Sequence, residues 1–362
     1  MLRSTLGLAV LLAALASAPA QSQSVQLAPD VSLTINGTVQ PRVSYAYQEG
    51  VGTERLGSGL RRARLQTRAT YADRLGFEFD FDGASGDLSS VDLYAFYSIT
   101  ENLQLRAGRQ PGAQPKSYTL TSHTLIDAVD RPAISELWAQ GTIGSSGRDF
   151  GVDLEYETDR GSAVLFVHSG TGSFSRAAGN LRESISASDV TRGGGETGLA
   201  VTVMGDVRPA TVPGLEVGAF AGVNPVGSES TVRNGVEREY ATGGVHVYWG
   251  ARPGSQPVRV KLDALGVRYE EVAGFQQELL GASLFGAVRV LSHGEAFVRG
   301  ERFWADVDGE AENYVAVGAS YSLSAARGHE YRRARITAAY HYRSSDLRDN
   351  AHMAVIQGQF AF

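Results

Sequence analysis

The segment His352-Met353-Ala354-Val355-Ile356-Gln357-Gly358-Gln359-Phe360-Ala361-Phe362 decides the fold class. Counted back in twos from Phe362, one face carries Phe362, Phe360, Gly358, Ile356 and Ala354. The other carries Ala361, Gln359 and Gln357, with Val355 as an exception. Alternation with a period of two marks a strand whose faces meet different surroundings. A strand ending on an aromatic tip suits a sheet that closes on itself and turns apolar groups toward lipid. That is the geometry of a transmembrane antiparallel β-barrel.

The pattern repeats upstream. Val31, Leu33, Ile35, Val39, Val43, Tyr45 and Tyr47 share one face of residues 31–48, and Ser32, Thr34, Asn36, Thr38, Gln40, Arg42 and Ser44 share the other. Pro41 interrupts this run, which is unusual for an inner strand. In 62–71, Ala63, Leu65, Ala69 and Tyr71 alternate with Arg62, Arg64, Gln66, Arg68 and Thr70; in 75–82, Leu75, Phe77, Phe79 and Phe81 alternate with Gly76, Glu78, Asp80 and Asp82. Further strands are expected over 91–99, 103–109, 148–158, 161–168, 197–207, 214–223, 240–250, 257–269, 278–291, 295–305, 313–323, 332–344 and 352–362. The total, about sixteen, is even, as single-chain bacterial barrels require.

The connections differ in length. Residues 72–74, 100–102, 159–160, 252–256 and 292–294 make short turns, and 48–59, 110–147, 169–196 and 224–239 make long loops. Long extracellular loops and short periplasmic turns are the asymmetry of outer-membrane barrels, so the outer membrane is the expected location and its lipid an expected partner. Residues 1–20 read as an export signal, with Arg3, an apolar run Leu6–Ala16 and Ala18-Pro19-Ala20. Residues 21–362 then form one barrel domain. A soluble sandwich or propeller could show the same alternation with its apolar face turned inward. The signal, the loop asymmetry and aromatics at strand ends (Tyr45, Tyr47, Tyr71, Trp249, Trp304, Tyr340, Tyr342) favour the barrel.

Composition narrows the function. There is no cysteine, so no disulfide supports the exported chain. The net charge is −6; removing Arg3 with the signal leaves 32 basic against 39 acidic residues, or −7. Acidity argues against nucleic acid as a partner but leaves the sign of an interior open. No P-loop, dinucleotide fingerprint, HExxH or GxSxG occurs, so no catalytic residue, metal ligand or cofactor is assigned. Asp80-Phe81-Asp82-Gly83 lacks the remaining ligands of a calcium loop.

With apolar faces outward, the alternate faces line a wet lumen. Arg62, Arg64 and Arg68 then form a column, with guanidiniums roughly 7 and 13 Å apart along the strand. Arg106 faces inward too, as do Arg259, Lys261, Arg333, Arg335, His341 and Arg343. Planar donors in a column make a ladder for oxyanions. Glu78, Asp80, Asp82, Asp92, Asp153, Glu155 and Glu157 oppose them, so neutralisation in an unselective channel is the alternative reading. The long 110–147 loop carries Lys116, His123, Asp127, Asp130, Arg131 and Glu136, with an apolar set that includes Leu120, Ile126, Val129, Ile134 and Trp138. It either narrows the lumen or packs at the rim or between protomers.

Short motifs add a resemblance. Leu60-Arg61-Arg62-Ala63-Arg64-Leu65, Val91-Asp92-Leu93-Tyr94-Ala95-Phe96-Tyr97, Leu105-Arg106-Ala107-Gly108-Arg109-Gln110-Pro111 and Gly147-Arg148-Asp149-Phe150-Gly151-Val152 resemble segments of the phosphate-selective porin O and P family, in order and spacing. The end 349–362 is similar to its closing strand. The resemblance implies a sixteen-stranded homotrimer that passes small anionic solutes such as phosphate. Its anion-binding residues would be Arg62, Arg64, Arg68, Arg106, Arg109, Lys116 and Arg131. The chain departs from the family at Arg109-Gln110-Pro111-Gly112 and is poor in lysine. The alternatives are an unselective diffusion porin and a barrel that carries a surface hydrolase or adhesin.

Overall fold

The computed structural model describes residues 23–143, 146–170, 199–225, 238–271, 276–304, 311–346 and 348–362. The expected export signal, and most of the expected loops 169–196 and 224–239, lie outside them. A short β1 (Gln23–Ala28) precedes β2 (Val31–Gln48), β3 (Thr53–Tyr71), β4 (Leu75–Asp82), β5 (Ser89–Ser98) and β6 (Leu103–Gln110). After one α-helix, α1 (Ala133–Gly141), come β7 (Asp149–Thr158), β8 (Gly161–His168), β9 (Ala200–Val207), β10 (Leu215–Asn224) and β11 (Arg238–Trp249). The chain continues through β12 (Val258–Glu271), β13 (Gln276–Leu291), β14 (Gly294–Trp304), β15 (Ala311–Ser322), β16 (Ala334–Ser345) and β17 (Ala351–Ala361).

Each of β2 to β17 pairs antiparallel with its sequence neighbour, and β17 pairs back onto β2 from Ala351↔Gln48 to Ala361↔Thr38. The result is a closed ring of sixteen strands, the sixteen expected segments. Closure pairs the first ring strand with the last, so the ring has no open side toward lipid, where an unpaired edge is not tolerated. The Phe362 ring covers Gly37, where a Cβ would stand 2.1 Å from the ring. Gly37 and Phe362 also exchange both backbone hydrogen bonds, at 3.1 and 3.0 Å. The sequence pattern missed β1. It pairs with the start of β2, from Gln23↔Ile35 to Ala28↔Val31, along the edge that β17 leaves free.

The other correction concerns β3, which begins at Thr53 rather than 62, so the connection expected over 48–59 shrinks to 49–52. Gly57 and Gly59 erase the alternation that would have revealed this stretch, yet the ladder to β2 continues through them. Between the two halves of β3 lies a β-bulge. Gln40 pairs with Arg62 and Pro41 with Leu60, which leaves Arg61 as the extra residue. Pro41 supplies no N–H, so a break in the ladder suits it.

Outside, Leu262, Leu284, Val298, Val317, Tyr340 and Ile356 on β12 to β17 are all exposed and share one band. The band continues around β3 to β10 with Leu65, Phe77, Tyr97, Leu105, Leu154, Leu165, Val203 and Val217. A continuous apolar band of this extent faces lipid rather than water. Charged residues such as Asp80, Asp153, Arg259, Arg299 and Arg335 are buried on the opposite, inner face.

The interior is not simply wet. Residues 111–143 fold into the lumen. Trp138 on α1 is 1% exposed; it packs with Phe220, Tyr240, Leu265, Val267 and Phe303, and its Nε1 donates to Thr242 Oγ1 at 2.8 Å. Ala128 and Val129 pack on Phe285, Phe297, Ala316, Ala339 and Val355. Val355, the exception in the last strand, thus faces inward onto this loop. Pore insertion, not packing at the rim or between protomers, buries the loop's apolar residues. Replacing Trp138 with alanine removes the largest side chain of the first cluster, at a cost of about 3–5 kcal/mol. The cost falls on docking of the loop. Amides of 133–143 are expected to exchange about a hundredfold faster or more, with the melting temperature of the barrel unchanged; unaltered exchange would show that the loop is held by other means.

Candidate functional site: an arginine-lined lumen

Two aspartates hold the inserted loop to opposite walls. Asp127 accepts from Arg259 at 2.7 Å and Lys261 at 2.6 Å on β12, and Asp130 from Arg42 at 2.8 Å on β2 and Arg61 at 3.0 Å on β3. Backbone carbonyls add further ties. Arg335 donates to Ile126 O at 2.7 Å, Gln359 to Thr124 O at 3.0 Å and Arg299 to Asp130 O at 2.8 Å. Lys116 reaches Glu216 at 3.1 Å and Asp206 at 3.4 Å. Gly112 starts the insertion against the Phe166 ring, where a Cβ would lie 1.8 Å from the ring. Val129 sits at φ 55°, a backbone region that β-branched residues avoid, and these ties hold it there.

Burial pushes the Asp127 carboxyl up, but the Lys261 and Arg259 charges and hydrogen bonds outweigh it and hold it at about 2. That lies below the roughly 3.9 of an unfolded aspartate. The anchor therefore stabilises fully above about pH 4 and is lost as pH falls through about 2. Protection of amides 126–131 against hydrogen exchange, relative to the chemical rate at each pH, is expected to hold from pH 7 to about pH 4 and to fall below about pH 3; loss of protection centred near pH 6 would contradict this anchor.

The expected anion-binding residues divide into two groups. Arg64 pairs with Asp82 at 3.2 Å and Asp80 at 3.5 Å, and Arg68 with Glu78 at 3.1 Å while stacking on Phe96. Arg106 pairs with Asp153 at 2.5 Å and Glu155 at 2.9 Å. Lys116 is paired as described. These four are largely neutralised in place. Arg62, Arg109 and Arg131 have no carboxylate partner among the described residues. Arg62 donates to Gln40 Oε1 at 2.9 Å, Arg109 to Val91 O and Ser146 Oγ, and Arg131 to Tyr118 O at 2.9 Å and Thr121 O at 3.0 Å.

The unpaired three meet in one place. A cavity of 760 Å³ between β3, β5, β6 and the loop is lined by Arg61, Arg62, Arg64, Arg109, Arg131 and Arg148, with Asp82 and Glu136 as the acids among the described residues. Arg148 is shared with Asp92 at 2.6 Å. The field is visible in the loop. Burial and then the Arg148 charge push the Arg131 guanidinium down to about 10, and burial with the Arg64 and Arg62 charges pushes His123 well below the usual histidine range.

Strict alternation did not assign Arg61 to the lumen. The bulge turns Arg61 and Arg62 inward together, and Pro41 was the sequence signal for it. Arg148 closes the loop beside β7, and its partner Asp92 follows a second bulge at Val91. Arg109 would face lipid by alternation from Arg106. It is instead 8% exposed and follows Gly108, whose φ of 139° breaks the strand's regular twist.

No family model and no curated protein matches the chain. Solved structures do. An anion-selective porin from Comamonas acidovorans superposes with a TM-score of 0.68 at 13% identity, covering 92% of this chain and 100% of that one. The in-vitro folded, trimeric form of the outer-membrane protein OmpT of Vibrio cholerae gives 0.58 at 14%, covering 92% and 100%. OmpF of Salmonella typhi gives 0.57 at 12%, covering 93% and 100%.

The fold is that of the bacterial outer-membrane porins. The phosphate-selective branch of that class rests on the short sequence motifs alone.

Proposed function

We propose that this barrel is a passive, non-enzymatic porin that prefers small anions. The observation that carries it is the 760 Å³ cavity, where six arginines face two acids and three of the six lack a carboxylate partner. Partial positive charge at a narrowing raises local anion concentration without trapping the ion. The anion-selective porin with the same fold supports the reading. Phosphate is the candidate oxyanion, since unpaired guanidiniums offer fixed donors to its oxygens.

Homotrimer formation belongs to the same proposal. Strands β4, β6, β8 and β9 have eight residues each, short of the roughly 9–11 that a tilted strand needs to cross the hydrocarbon layer. A neighbouring copy would shield that low wall.

The paired arginines Arg64, Arg68 and Arg106 favour a second reading, an unselective channel. Tracer flux through proteoliposomes separates the two. Chloride crossing faster than rubidium supports anion preference, and equal fluxes support the unselective channel. Phosphate recognition is read from millimolar phosphate depressing chloride current, and its absence would remove phosphate while leaving anion preference in place.

A further inference from the structure

A second cavity, of 660 Å³, opens toward the extracellular mouth between β2, β3, β15, β16, β17 and the loop. Such a volume falls within the roughly 300–1,000 Å³ of small-molecule sites. Its wall is unlike the rest of the lumen. Strand register sets Ala316, His341, Met353 and Ala46 side by side as one inward row across β15, β16, β17 and β2. The row nearer the mouth reads Tyr314, Arg343, Ala351 and Gln48. Below, Met353 packs on the apolar floor made by Val129, Ala339 and Val355.

Arg343 is the cation in the row nearer the mouth; Arg299 on β14 and Arg55 on β3 flank the ends of the deeper row, and Arg42, Arg61 and Arg131 also line the cavity. One of the Arg343 terminal nitrogens donates to Asp349 O at 2.8 Å, and its Nε is buried without a partner. His341 Nε2, one row deeper, is also buried without a partner. Residues two apart on a strand stand about 7 Å apart. That is about the length of a small ring carrying a carboxyl group.

We infer that this wall is a subsite for organic monocarboxylates with a flat apolar body. The carboxylate meets Arg343, and the body lies one row deeper against Met353, Ala316 and Ala46, its edge toward His341. An inorganic oxyanion gains only the charge contact here, so this subsite and the arginine cavity differ in what they retain. The inference rests on the anion-channel reading and names a solute class for it.

The test is single-channel recording in KCl with benzoate or acetate added at equal concentration to the extracellular side. Both carry one carboxylate, and only benzoate carries the ring. Benzoate is expected to depress the current at a concentration about threefold or more below that of acetate, from burial of part of the ring. Met353→Gln is expected to remove that difference, and Arg343→Gln to weaken both blockers. Equal block by the two acids in the unsubstituted protein, a comparison that needs no variant, would overturn the subsite. A difference that survives both Met353→Gln and Arg343→Gln would overturn its location. Anion preference is read separately, from chloride and rubidium flux. If preference is present and the acids block equally, the subsite alone fails; if preference is absent while benzoate block persists, the anion-channel reading alone fails.

Discussion

Reversing Arg62 and Arg131 together, as Arg62→Glu with Arg131→Glu, is expected to turn an anion-preferring channel into one that favours cations or shows no preference. Both side chains line the 760 Å³ cavity without a carboxylate partner, so their charge reaches a passing ion. A unit charge about 7 Å from the ion contributes about 0.6 kcal/mol in water. The two reversals change four units, or about 2 kcal/mol, and screening at 0.1 M salt roughly halves that. The shift is opposite in sign for chloride and potassium, so the chloride-to-potassium permeability ratio falls by about thirtyfold. Arg64→Gln is expected to do much less. It removes a guanidinium shared by Asp80 and Asp82 and leaves those carboxylates behind. If Arg64→Gln shifted the ratio as much as the double reversal, the paired column rather than the unpaired set would govern selectivity.

Replacing residues 115–143 with a short Gly-Ser link is expected to raise single-channel conductance several-fold. The segment's ties span the lumen, from Lys116 at β9 and β10, through Asp127 at β12, to Asp130 at β2 and β3. A sixteen-stranded ring without it leaves a wide aqueous channel. The shortened chain should still assemble, since the sixteen-strand ladder does not use these residues. It should also lose part of its anion preference, because Arg131 goes with the loop and the remaining charges stand farther from the ion path. Unchanged conductance in a correctly inserted barrel would mean that the segment does not obstruct the path.

The strands were legible because lipid on one side and water on the other impose a period of two over the whole chain, and all sixteen ring strands carry it. Local departures marked where the pattern was under other control. Val355 broke the alternation because it meets Val129 of the inserted loop, and Pro41 broke it because a bulge lies opposite. The bulge matters most for the site. One extra residue turns Arg61 inward beside Arg62, and a fixed period cannot show that. The column Arg62, Arg64 and Arg68 was legible as a column. That Glu78, Asp80 and Asp82 neutralise most of it follows from the register of β3 against β4, and the residual charge follows from what the loop brings. Insertion of the loop was not legible, since Ile134 and Trp138 would bury equally well against a protomer or the rim. The fit to Phe220, Leu265 and Phe303, on strands far away in sequence, decides it. β1 is too short, and too near the expected export signal, to stand out as a period-two run.

The most direct test of anion selection by unpaired arginines is the zero-current potential of the unsubstituted protein across a planar bilayer, with KCl more concentrated on one side. Anion preference predicts a potential that is negative on the dilute side, where chloride accumulates. A potential positive on that side, set by potassium, would contradict it.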